Sequence, residues 1–228
     1  MDEGEVLGRL RSMANPANVA GMARFGINSE NTLGVSVTEL RKLAREIGKD
    51  HGLALKLWES GIHEARILAS IIDDPRLVTE SQMESWVRDF NSWDVCDEVI
   101  MNLFKKTPFA RDKALEWSAR KGEFVKRAGF VLMTNLTVGD KKAGDSLFET
   151  FLPLIKREAT DGRNNVKKAV NWALRQIGKR NIRLNQLAIK TAEEIRKLDD
   201  RTARWIASDA LRELRSDAVK KRLKAKDA

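Results

Sequence analysis

A short string recurs along this chain with a period near 40 residues, and that repetition limits the folds open to it. Val125-Lys126-Arg127-Ala128 precedes GFVLM, and Val166-Lys167-Lys168-Ala169 precedes VNWALRQI, so the two alanines stand 41 residues apart. Arg204-Trp205-Ile206-Ala207 opens a third copy, its alanine 38 residues further on, and HEARILASII at 63–72 reads as an earlier, more divergent one. A unit of this length cannot bury an apolar face by itself. It has to stack on its neighbours, and the stack leaves one long surface free.

The units are helical. Tyrosine is absent, alternating Val/Ile/Thr runs do not occur, and helix-start signals recur. Ser36-Val37-Thr38-Glu39 reads as a capping box opening LRKLAREIGKDHG, a helix expected to run to Gly52. Thr79-Glu80-Ser81-Gln82 is a second box, opening MESWVRDF. Pro153, inside LFETFLPLIKREA, is expected to kink or split its helix. Roughly a dozen helices of about 8–17 residues with short turns follow from these signals. The expected fold is therefore all-α, a right-handed α-solenoid of HEAT-like helical repeats with a concave basic face. One domain is drawn over 1–216, with a basic tail at 217–228, DAVKKRLKAKDA, expected to fray.

Charge and composition narrow the function. With 42 Lys/Arg against 33 Asp/Glu, the formal charge is +9, which favours a polyanionic partner. A single cysteine, Cys96, excludes an intramolecular disulfide and a multi-cysteine zinc site, and two histidines leave little for a metal centre. No metal and no cofactor are expected. No apolar run approaches the roughly 20 residues of a membrane span, and the acidic N-terminal stretch lacks an apolar signal core, so a cytoplasmic protein without membrane contact is expected. Phosphate-loop, dinucleotide and zinc-protease motifs do not occur. His63 is read as structural, Cys96 as a core residue, and Trp58, Trp86 and Trp117 as core.

Two segments carry candidate chemistry. At about 100° per residue, Val166, Val170, Ala173, Leu174 and Ile177 make one apolar stripe, while Lys168, Trp172, Arg175 and Lys179 fall on nearly the opposite side. An indole among cations suits stacking on a base or sugar with phosphates held alongside; equally, it suits a helix–helix contact with cation–π support. The other segment is Asn91-Ser92-Trp93-Asp94-Val95-Cys96-Asp97. Asn91 or Ser92 can cap a helix, and Asp94 suits its positive first turn. Asp97 instead shares an apolar stripe with Trp93, Ile100 and Phe104. A carboxylate there is either paired, with Arg127 for instance, or kept for chemistry.

The combination resembles the AlkD-type DNA alkylation repair family, the HEAT-like-repeat DNA glycosylases. The likeness runs from about Gly34 to Leu214 and is carried by LGVSVTELRKLAREIG, LWESGIHEARILAS, SWDVCD, FVKRAGFVL and VKKAVNWALRQIGK. It implies Asp97 as the catalytic carboxylate, Trp93 and Trp172 as aromatics lining the lesion, and Arg127 and Arg175 as contacts to the DNA backbone. Lys168 and Lys179 join them from the helix pattern. Ser92 stands where studied members have a further Trp, and Thr38 where the family often opens a helix with Pro.

The resemblance implies a monofunctional glycosylase that excises cationic N3- or N7-alkylated purines from double-stranded DNA. The base leaves neutral, and Asp97 stabilises the oxocarbenium-like sugar. The resemblance also implies excision without base flipping, the distorted nucleotide being held by its backbone on the concave basic surface, and no segment of the sequence marks a deep pocket or a wedge. No lysine stands beside Asp97 in the helix pattern, so a lyase step is not expected. A monomer, associated with the nucleoid through DNA, completes the expectation. Two other readings remain: a non-catalytic solenoid binding damaged or branched DNA, and a protein-recognition solenoid.

Overall fold

The computed structural model of the protein describes residues 1–227. Among them are fourteen α-helices and no strand, so the chain is all-α. Contacts group it into two compact units, Met1–Ala110 and Arg111–Ala228.

The first unit holds α1 (Glu3–Ser12), α2 (Pro16–Arg24), α3 (Val37–Ile47), α4 (His51–Glu59), α5 (His63–Ile72), α6 (Glu80–Arg88) and α7 (Trp93–Asn102), with a 3-10 turn at Phe104–Lys106. Ser36 and Thr79 both cap helices where the sequence places them. The Ser36 hydroxyl oxygen accepts the Glu39 N–H at 3.3 Å, and that of Thr79 accepts the Gln82 N–H at 3.1 Å. The first of these helices stops sooner than expected. Gly48 takes φ 79°, a left-handed conformation that ends α3, and Asp50 caps the separate helix α4 by accepting the Leu53 N–H at 2.9 Å. Helix α5 packs on α3, α4 and α7, burying Ile67, Leu68 and Ile72 with Val95, Cys96 and Val99. Trp58 and Trp86 stack at 4.0 Å between ring centres and 2° between planes, both buried, as expected for core indoles.

The second unit holds α8 (Ala110–Ser118), α9 (Glu123–Gly139), α10 (Asp145–Arg157), α11 (Asn164–Gly178), α12 (Ile182–Arg196), α13 (Arg201–Leu214) and α14 (Asp217–Asp227). The three copies of the recurring string start α9, α11 and α13, and these helices pack in that order, α11 against both others. Ala128, Ala169 and Ala207, the repeated alanines, are all buried. The alternate helices α10 and α12 pack on each other. This is the hairpin repeat that the 40-residue period demands. Pro153 does not split α10. It lies on the exposed face of the helix. The tail expected to fray is helical as α14, anchored by the buried Val219 and Leu223 one turn apart.

Candidate functional site

Helix α7 begins at the SWDVCD string, and its first turn is held by polar side chains from three directions. Ser92 occupies the N-cap position, yet its hydroxyl caps no backbone group. It donates instead to Asp94 Oδ1 at 2.5 Å and accepts the Asn28 N–H at 3.4 Å. His63 Nε2 lies 2.8 Å from Asp94 Oδ2, the imidazole buried. Burial alone pushes the Asp94 carboxyl up, the largest single influence. His63, Ser92 and the Val95 backbone N–H together outweigh it and leave the group below its ordinary value. Asp94 and His63 thus fix the start of α7, a positioning role for the histidine read as structural.

The next residue of α5 fixes the facing loop. Glu64, buried, accepts the backbone N–H groups of Leu33 at 2.8 Å, Gly34 at 2.6 Å and Val35 at 3.3 Å. Gly34 takes φ 79°, and a Cβ there would lie 2.3 Å from the Asn15 carbonyl oxygen, so no other residue fits. Asn31 accepts the His63 N–H through its carbonyl at 2.9 Å. The segment between α2 and α3 is therefore tied to α5 and α7 at Asn28, Asn31 and residues 33–35.

These ties frame a cleft of about 650 Å³ between the end of α2, the start of α3 and one face of α7. Met22, Phe25, Val37, Trp93, Asp97 and Met101 are among the residues lining it. Trp93 donates its indole N–H to the Phe25 carbonyl oxygen at 3.1 Å. Asp97, one turn on, is buried and opens on the same cleft. The structure thus brings Trp93 and Asp97 together on one wall. The sequence marked no such pocket, because it joins segments about 70 residues apart that share no period. Phe25, 78% exposed at its rim, had no signal in the sequence beyond the glycine that follows it.

The remaining candidates lie in the second unit, on α9 and α11. The stripe Val166, Val170, Ala173, Leu174 and Ile177 is fully buried, which turns the opposite side of α11 outward. There Lys168 is exposed and Trp172 half-buried. Arg175 and Lys179 are engaged by α13. Arg175 Nη1 lies 2.9 Å from Glu213 Oε2 and 3.4 Å from Asp209 Oδ2, and Lys179 Nζ lies 2.6 Å from Glu213 Oε1. Arg127 is buried on α9 and donates to the Asn165 carbonyl at 2.8 Å, joining α9 to the start of α11. Lys167 Nζ sits 5.1 Å above the Trp205 ring.

Among the described residues, no group of three or more His, Cys, Asp or Glu side chains is arranged to hold a metal ion. No described helix is long and apolar enough to cross a membrane.

Comparison with known proteins agrees with this architecture. No curated protein sequence matches the chain significantly. A solved structure described as "A new family of proteins related to the HEAT-like repeat DNA glycosylases with affinity for branched DNA structures" superposes with a TM-score of 0.77 at 21% identity, over 93% of this chain and 95% of that one. The fold is accordingly that of the HEAT-like repeat proteins. The model of the DNA alkylation repair enzyme family matches residues 6–214, nearly the whole length, and the chain belongs to that family.

Proposed function

We propose that the protein is a monofunctional DNA glycosylase that releases cationic N3- or N7-alkylated purines from double-stranded DNA, with Asp97 as its catalytic carboxylate. The observation that carries the reading is the pairing of Asp97 with Trp93, one helical turn apart on α7 and lining one cleft. Family membership supplies the substrate class.

The chemistry then follows from charge. An alkylated purine is positive, so the electron pair of the C1′–N bond returns to the base and the base departs neutral. The positive charge passes to the sugar, shared by C1′ and the ring oxygen. A fixed anion in a partly dry site stabilises that charge far better than water does. Water then adds at C1′, and its proton passes to the Asp97 carboxylate. The ties from Ser92 and His63 hold the first turn of α7, so the anion needs little reorganisation as the charge develops. Lys168 meets phosphates directly, Arg175 and Lys179 exchange Glu213 for phosphate when DNA arrives, Trp172 packs on the sugar face, and Arg127 supports the backbone contacts.

The test is release of N7-methylguanine from methylated duplex DNA. Wild type is expected to release it above the spontaneous rate, and Asp97→Asn to be slower by about 100-fold or more, the usual effect of removing one transition-state charge contact, with duplex affinity retained. Equal rates for the two proteins, or no release by wild type, would refute the assignment. A second reading rests on the affinity for branched DNA described for the superposed protein: a solenoid that binds junctions without excision. It predicts salt-sensitive preference for a four-way junction over a plain duplex, and no base release.

A further inference from the structure

Four helix ends of the second unit meet around a cavity of about 450 Å³ that the excision chemistry does not use. Helices α9 and α11 finish there, α10 and α12 begin there, and α14 contributes Arg222 to the lining. The charged residues of that lining are Lys141, Lys179, Arg180 and Arg222 against one carboxylate, Asp145. The two oxygens of Asp145 accept from the Asn181 side-chain amide at 2.8 and 3.0 Å. Among the described residues that line the cavity, Val138 alone is apolar, so an apolar ligand finds little to bind.

The charges are held in place by the fold. Arg180 donates from Nη1 to the Thr137 carbonyl at 2.7 Å, and from Nη2 to those of Asp140 and Ala143 at 2.8 and 2.9 Å. Its guanidinium lies 4.2 Å from the Phe148 ring centre. It is thus a fixed positive charge that satisfies carbonyls where α9 ends. Asn185 serves the end of α11, donating to the Gly178 carbonyl at 2.8 Å. The start of α10 has no such service: its N-cap is Gly144, which has no side chain to accept from the first turn. Lys141 and Arg222 are exposed and form no ion pair among the described residues, whereas Lys179 is held by Glu213 at 2.6 Å. Lysine charges, an arginine fork and the positive start of a helix are together what a phosphate group requires.

We propose that this cavity is a phosphate-binding site, with Lys141, Arg222 and the start of α10 holding the phosphate and Arg180 fixing the wall behind it. The volume falls inside the roughly 300–1,000 Å³ range of small-molecule sites, larger than one phosphate needs, so the ligand carries linked phosphate groups. Such groups come from a DNA backbone or from a free oligophosphate. Lys179 ends the outward stripe of α11 and also lines the cavity, so a backbone that follows the stripe leads into it. The site goes beyond the proposed excision and takes no part in the chemistry at Asp97.

The probe is inorganic pyrophosphate, titrated calorimetrically into the full chain at constant ionic strength and then used to compete with a plain duplex. Wild type is expected to bind pyrophosphate saturably. Lys141→Gln combined with Arg222→Gln is expected to weaken that binding about tenfold or more, the usual scale for charged hydrogen bonds. Lys141→Arg combined with Arg222→Lys should keep most of it. Thermal stability should not change in either double variant, because both side chains are exposed. Lys190→Gln, which alters an exposed cation of α12 outside this lining, should bind as wild type does. Displacement of duplex by pyrophosphate from wild type, but not from the glutamine double variant, supports the site and assigns its phosphate to DNA. Pyrophosphate binding that leaves the duplex in place supports the site and assigns it to a free ligand. Absence of saturable binding, or equal binding by wild type and the glutamine double variant, overturns the site. Base release is measured separately through Asp97, so the glycosylase reading survives or fails on its own result.

Discussion

The N-terminal unit, residues 1–110, has a formal charge of −4, whereas the C-terminal unit, residues 111–228, carries 29 Lys/Arg against 16 Asp/Glu, a charge of +13. Both are stacks of helical hairpins, yet they differ in what joins the helices. In the first, buried side chains pin loops: Glu64 on residues 33–35, His63 on Asp94, and Asp73 accepting from both His51 and Gln82 at 2.7 Å. In the second, polar contacts recur at the repeat spacing: Asn171 to Asp209, Arg175 to Glu213 and Lys167 to Trp205 all join positions 38 apart. The overall +9 therefore conceals a division. Screening over about 8–10 Å keeps such fields local, so each unit presents its own sign of charge. Helical repeats carry the two opposite charges along one chain without changing the fold.

The sharpest way to break this comparison is to remove the pin that shapes the acidic unit's cleft. Glu64→Ala leaves three backbone donors without their acceptor in a buried place. Each costs about 1–3 kcal/mol when unsatisfied, so a loss of about 3–5 kcal/mol is expected after some rescue by water. Urea unfolding gives the magnitude. Hydrogen exchange at the Gly34 and Val35 amides gives the location: both should lose protection. Retained protection there would mean that the loop is held by its glycine turn and by Asn18, which donates to the Gly34 carbonyl at 2.9 Å, rather than by the carboxylate.

A smaller effect is expected in the basic unit, with opposite signs for two variants. Lys168→Glu should weaken duplex binding about tenfold at moderate salt and lower the salt slope by about one. Glu213→Gln takes from Arg175 and Lys179 the carboxylate that engages both, so it should tighten binding about three- to tenfold and steepen the slope. Filter binding or fluorescence anisotropy across a salt series measures both. If Glu213→Gln weakens binding, the ion pairs serve to orient the cations for DNA and do not compete with it.

Much of this architecture can be read from the chain, and the parts that cannot share a cause. The 3.6-residue stripe of α11 and the caps at Ser36 and Thr79 are local, and each appears where its pattern places it. The helix expected to run to Gly52 ends four residues earlier, because Gly48 takes the positive φ and Asp50 then caps a new helix, a choice between two nearby glycines that the sequence pattern did not make. Helix α14 rests on two buried residues, too few to signal a helix in so basic a segment. Engagement of Arg175 and Lys179 was within reach, since the 38-residue offset of the recurring string carries Arg175 onto Glu213. The cleft was not: it depends on Glu64 and His63 holding a loop about 30 residues before them and a helix about 30 after. Trp93 and Asp97 could be selected from spacing and resemblance, but Phe25 is visible only once that loop is in place.

The smallest expected effect tests whether the two units also differ in acid. Asp161 in the basic unit is held to about 2, first by its hydrogen bonds from Arg163 and then by weaker support from Lys126. Asp94 in the acidic unit lies below its ordinary value through His63 and Ser92, against the cost of burial. Both folded values are depressed, so each group stabilises the fold fully above its unfolded value near pH 4 and loses that contribution as pH falls through the folded value. For Asp161, which is partly solvated, about 1 kcal/mol remains after screening. Asp161→Asn should therefore be less stable than wild type by about that amount at neutral pH. The gap should close between about pH 4 and pH 2 as the wild-type carboxyl protonates. Asp94→Asn should converge with wild type over the same direction of pH, and unlike Asp161→Asn it should also slow base release, because Asp94 sets the first turn of the helix that carries Asp97. A gap that stays constant from neutral to acid pH would show that the asparagine disturbs packing and that the charge contributes nothing. Equal base release by both variants would separate the Asp94 pin from the chemistry and leave the acidic unit with a structural network alone.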